Sequence, residues 1–236
     1  MDTEGYEQLS KKCSATVIRF LAEHLNRLEG RLVNELYWVQ LLLLSRILRC
    51  HSAVRLLVRE GLCSEAAIIA LTQFETSLDA LYIGLNVSRA TTWVEHTSER
   101  SQPWSVGNKI REIYASDPHR MDANFAVFRD LSQIKHSNPA AGGFGFPVRR
   151  EGDTLQLSTG PMEDVFEEFQ GRLLLAFSSF SLLEVFEVAG AAFGKFESMP
   201  EEYLVEIAAL KTQAGDALGR AGDILPGART ETTSIQ

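Results

Sequence analysis

Apolar residues recur at three- and four-residue spacing along most of this chain. Gly30, Gly61, Pro103, Pro118 and Pro139 interrupt that rhythm. Such a period places apolar side chains on one stripe of an α-helix. Short links between helices force antiparallel neighbours. The expected fold is therefore all-α, an up-and-down bundle of six to seven helices.

The first helix is predicted over about Tyr6–Leu28, with Val17, Leu21, Leu25 and Leu28 on one face. The second covers about Arg31–Glu60. It is apolar nearly all round between Leu36 and Leu48, as a central helix should be. Gly61 ends it. Ser64 reads as the N-cap of a third helix reaching about Leu85. Its face is Ile68, Leu71, Phe74, Glu75, Leu78, Leu81 and Tyr82. Shorter helices follow at about Ser88–Ser98, Val106–Ala115 and Met121–His136. The last two run from about Met162 to Phe193 and from Pro200 to Gly219. Residues 140–160 alternate weakly around Glu151-Gly152-Asp153, which predicts one small β-hairpin insertion. A single domain over 1–222 with a flexible tail over 223–236 is the expected organisation.

Charge narrows the partners. The formal net charge is -8, which disfavours broad, non-specific nucleic-acid binding. The imbalance is local. Residues 100–150 carry eight Lys/Arg against four Asp/Glu, whereas residues 151–202 carry two against eleven. Cys13, Cys50 and Cys63 form no CxxC pair, so neither a zinc site nor a disulfide framework is expected. A reducing cytoplasm follows. The opening MDTEGYEQLSKK is unlike a signal peptide. Leu173–Phe193 is nearly long enough to span a bilayer but contains Glu184 and Glu187, so a buried helix is expected and no membrane partner.

The most informative stretch is Arg129-Asp130-Leu131-Ser132-Gln133-Ile134-Lys135-His136-Ser137-Asn138-Pro139. Seven steps at 3.6 residues per turn return Arg129 and His136 to nearly one face. Ser132 is a neighbour of His136 four residues away. Metal-free RNA cleavage needs a base for the ribose 2′-hydroxyl and an acid for the leaving oxygen. Histidine titrates in the range suited to either task, and a guanidinium binds phosphate. The structural alternative is equally concrete. His136 would complement a helix C-terminus, and Arg129 would pair with Asp122 or Asp130 at the surface.

These residues resemble the HEPN signature: Arg, a polar residue, a short spacer and His near the end of a bundle helix. That signature has four to six residues between Arg and His, and this chain has six. Asp130 occupies the polar position. The resemblance implies a helical homodimer whose paired motifs form a metal-independent ribonuclease site. It also implies a bacterial defence or toxin–antitoxin setting, with an RNA substrate and a partner protein. Ser52–Ile83 and Asp130–Pro139 further resemble a family of uncharacterised bacterial helical proteins. There an Arg commonly precedes the helix-three Glu by four residues, where this chain has Leu71 before Glu75.

On this resemblance Arg129 and His136 are the expected catalytic residues, supported by Asp130, Ser132, Glu75, Lys135 and Asn138. Glu75 and Asp79 sit four apart on the third helix. If buried, they need a cation, and Arg129, Lys135 or His136 across the bundle is the expected one. Trp93 and Trp104 with Arg100, Lys109 and Arg111 offer a base-stacking array, though core packing is the expected fate of Trp93. No HExxH, P-loop or GxGxxG occurs, so neither cofactor nor metal is expected.

Overall fold

The computed structural model describes residues 2–27, 29–30, 32–96, 103–135, 148–151, 154–157, 164–193 and 199–223. The architecture is all-helical. Among the described residues there are eight helices: α1 (Thr3–Arg27), α2 (Glu35–Arg59), α3 (Cys63–Leu85), α4 (Ser88–Glu95), α5 (Val106–Ile113), α6 (Pro118–Lys135), α7 (Asp164–Phe193) and α8 (Glu201–Asp223). The count is eight rather than six to seven, and the short helices α4 and α5 fall where Ser88–Ser98 and Val106–Ala115 were expected. Outside the helices, β1 (Val148–Glu151) and β2 (Thr154–Leu157) pair antiparallel, with Val148 opposite Leu157 and Glu151 opposite Thr154.

Local chemistry sets the helix ends. The Asn34 side chain accepts from Tyr37 N at 2.9 Å, so α2 begins at Glu35 rather than at Arg31. At its other end Gly61 takes φ 75°. Gly61 N donates to Val58 O and Leu62 N to Leu57 O, the paired bonds of a Schellman turn. Leu62, not Ser64, occupies the cap position of α3, without a side-chain hydrogen bond. Pro118 stands inside α6 rather than before it. Proline suits the first helical turn, where its missing N–H costs nothing, and Asp117 Oδ1 accepts from Arg120 N at 3.0 Å.

α7 is the centre of the bundle, packed by α1, α2, α3 and α8. By length and composition its Phe169–Phe193 segment is apolar enough to cross a membrane, and 67% of its most apolar window is buried inside this protein. The two acidic residues of that segment are paired: Glu184 with Arg120 of α6, Glu187 with Lys211 of α8. The core has two parts. One joins α1, α2, α7 and α8 around Phe20, Tyr37, Phe186 and Tyr203. The other joins α3, α5, α6 and the adjoining ends of α2 and α7 around Leu71, Phe74, Ile110 and Leu131. Each fully buried aliphatic or aromatic side chain contributes on the order of 1.5–3 kcal/mol.

Two expected faces differ. On α1, Val17 and Leu21 are buried but Leu25 is 41% exposed. The buried stripe runs through Tyr6, Leu9, Cys13, Val17, Phe20 and His24, the positions that close on α7 and α8. On α2, Trp38 and Leu42 face out at 48% and 43% exposure. That helix covers α3 and α7 with one side only, so its all-round apolarity does not mark a central position.

Candidate functional site

The α6 helix presents its motif on the outside. Leu131 is buried, and Phe125, Phe128 and Ile134 pack against the α3–α5 core. That apolar side fixes the helix, so Arg129, Asp130 and Lys135 are left exposed and Ser132 half-buried. Arg129 Nε donates to Asp130 Oδ1 at 3.0 Å, with both side chains more than 60% exposed. The pair is the surface one anticipated by the structural alternative. His136 and Asn138 lie outside the described residues, as do Arg100 and the glycine-rich stretch Gly142–Gly145.

The expected bridge from α3 to α6 is not made among the described residues. Glu75 is half-buried and forms no ion pair with Arg129 or Lys135. The physical reason is the apolar seam: the side of α6 that meets α3 carries Phe128 and Leu131, while the cations point away. Asp79 instead receives Lys109 Nζ of α5 at 2.7 Å. The Lys109 side chain is 0% exposed and Asp79 19%, so this is a structural pair at the α3–α5 junction. Leu71, where the resembling family has Arg, is 2% exposed in the core.

The proposed base-stacking array is also dismantled by packing. Trp93 and Trp104 lie partly buried against the core. Trp104 stands 5.1 Å from the Tyr82 ring, and Lys109 is inside. Tyr82 is buried and donates its hydroxyl to Glu112 Oε1 at 3.0 Å, beneath the Arg89 guanidinium 3.6 Å from its ring. The thiols are quiet. Cys13 is buried, and desolvation pushes its pKa up to about 12.

Sequence reasoning passed over a polar seam through the core. His51 of α2 is wholly buried. Its Nδ1 lies 2.8 Å from Ser178 Oγ, and its Nε2 lies 3.1 Å from both Ser10 Oγ and Ser10 O. Gln73 fixes the proton count. Its Nε2 donates to Ser178 O at 2.8 Å, and Ser178 Oγ donates to Gln73 Oε1 at 2.6 Å. Ser178 must then accept from His51, which assigns the proton to Nδ1 and leaves Nε2 to accept from Ser10 Oγ. Burial drives the His51 pKa down to about 4. The backbone carbonyl of Ser10 opposes that shift and the nearby Arg55 charge adds to it. With no access to solvent, this serine–histidine contact has no route to a substrate. It joins α1, α2, α3 and α7 in one register. Its signal in the sequence was available: Gln73, Ser178 and Ser181 interrupt otherwise apolar runs at positions a helix must bury.

A second feature is a cleft of about 180 Å³ between α3, α6 and α7, with Leu218 of α8 also in its lining. Its floor holds Ser77 and Ser181, whose hydroxyls lie 2.8 Å apart. Its mouth holds the Arg120–Glu184 pair, with Arg120 stacked 4.9 Å from the Tyr114 ring. Burial, with Glu184 adding to it, raises the Tyr114 pKa, keeping the phenol neutral. No family model, curated protein or solved structure matches this chain.

Proposed function

We propose that this chain is a HEPN-like, metal-independent endoribonuclease acting in a bacterial defence or toxin–antitoxin system. Arg129 binds the scissile phosphate and His136 carries the acid–base work. Asp130, Ser132, Lys135 and Asn138 support them, and Glu75 stands behind. The enzyme needs no cofactor, works in the cytoplasm on RNA, and is restrained by a partner protein. It acts as a homodimer that brings two His-bearing helices together, with the hairpin a small insertion in the bundle. What carries this reading is the state of Arg129. Its guanidinium faces solvent, and its pairing with the exposed Asp130 is of the kind worth about 0–1 kcal/mol to a fold. The fold therefore leaves the group free for a phosphate.

The test is cleavage of a labelled RNA in chelator by wild type, Arg129→Ala and His136→Ala. The reading requires products ending in cyclic phosphate from wild type and a loss of at least 100-fold in both variants. Undiminished cleavage by His136→Ala refutes it.

A second reading is a non-catalytic module that binds a partner protein or a nucleotide. It is favoured by Leu71, a buried core residue that stands where the resembling family has an Arg before its Glu, and by the missing link between Glu75 and α6. Under it, purified protein leaves the labelled RNA intact.

A further inference from the structure

Two helix faces of this protein are exposed, and their chemistry is complementary. On α2 the outer row is Trp38, Leu42 and Arg46, with Arg49 beside it. Trp38 and Leu42 are about half exposed, and neither Arg46 nor Arg49 forms an ion pair among the described residues. On α8 the outer row is Glu201, Val205 and Ala209, flanked by Glu202 and Leu204. Leu204 and Val205 are 52% and 64% exposed, and neither Glu201 nor Glu202 is ion-paired among the described residues.

Both rows step by four residues, the ridge that interdigitates in the commonest helix–helix packing. Laid antiparallel, they match position by position. Arg46 meets Glu201, Leu42 meets Val205, and the large Trp38 ring lies over the small Ala209. Arg49 and Glu202 add to the net charge of the two faces. α2 contains four arginines and one acidic residue, whereas α8 opens on two adjacent glutamates. Pairing α2 with α2 would crowd the arginines together; pairing α2 with α8 neutralises them.

We propose that the outer face of α2 docks the outer face of α8 from a second copy of this chain. The contact joins two different faces. Used reciprocally about a two-fold axis it closes an isologous dimer, and used once per copy it is heterologous and builds a ring or chain. This inference does not depend on the ribonuclease reading. RNA or an acidic membrane would use the arginines but gain nothing from the glutamates of α8, so the copy is the occupant that uses both faces.

A charge swap tests it. Sedimentation or light scattering of the full chain at low salt should show concentration-dependent self-association. R46E/R49E and E201R/E202R should each weaken that association at least ten-fold. Both variants change exposed side chains only, and circular dichroism verifies their fold. An equimolar mixture of the two should restore association, because every α2–α8 contact in a mixed pair again joins opposite charges. A wild type that stays monomeric, association that neither variant weakens, or a mixture that fails to reassociate overturns the proposal.

Discussion

Acid should weaken this fold at a place the surface does not show. His51 is wholly buried and neutral, with Nδ1 donating to Ser178 and Nε2 accepting from Ser10. Its folded pKa is about 4, against 6.5 for the unfolded chain. The unfolded chain therefore binds a proton that the folded one refuses. Stability rises with pH wherever the unfolded state holds more protons. The contribution is fully present above pH 6.5 and is lost progressively as pH falls toward 4. Its full size is about 3 kcal/mol, and about 2 kcal/mol disappears between pH 7 and pH 5. Glu7, held below the usual carboxylate range by its hydrogen bond from Lys11, keeps its contribution above pH 4.5 and loses it only below that, outside the pH 7 to 5 interval. The assay is urea unfolding of wild type and His51→Gln at pH 7, 6 and 5. His51→Gln starts less stable, since it disturbs Ser10 and Ser178, but its loss from pH 7 to 5 should be smaller by about 2 kcal/mol. Parallel losses in the two proteins would refute the assignment of a buried, neutral imidazole.

Two further outcomes follow from the ion pairs. Asp79→Ala leaves the Lys109 ammonium buried without its carboxylate, so thermal unfolding should show a loss of about 3 kcal/mol, with Asp79→Ala/Lys109→Met recovering much of it. Arg129→Ala removes an exposed guanidinium and should change stability by less than about 1 kcal/mol; a loss comparable to the Asp79 variant would mean that Arg129 holds the fold together.

The bundle was legible because periodicity and breakers act locally. Gly61 and Pro118 mark ends that φ and N–H chemistry enforce in any context. Which faces meet was harder to read. The α2 sequence is apolar on every side from Leu36 to Leu48, and only the positions of α3 and α7 decide that Trp38 and Leu42 stay out. The site was legible to the same limit. Helical phase places Arg129 opposite Leu131 and so predicts its exposure. It cannot predict that Asp79 turns to Lys109, thirty residues on, because that choice depends on where α5 docks. The His51 seam escaped for a related reason. Gln73 and Ser178 stand out against apolar neighbours, but only a bundle that superimposes Ser10, His51, Gln73 and Ser178 gives them a common purpose.

Among the described residues, the helix on which α1, α2, α3 and α8 pack follows six others along the chain. Synthesis delivers α1, α2 and α3 long before Phe169–Phe193 leaves the ribosome. Until then the sides of those three helices that face α7 have nothing to close on, and Ser10 and His51 lack the hydroxyl that completes their chain. Closure of the bundle is thus withheld until α7 is made. For that interval the newborn protein carries an open apolar trough, the kind of surface that chaperones hold and that other unfinished chains stick to.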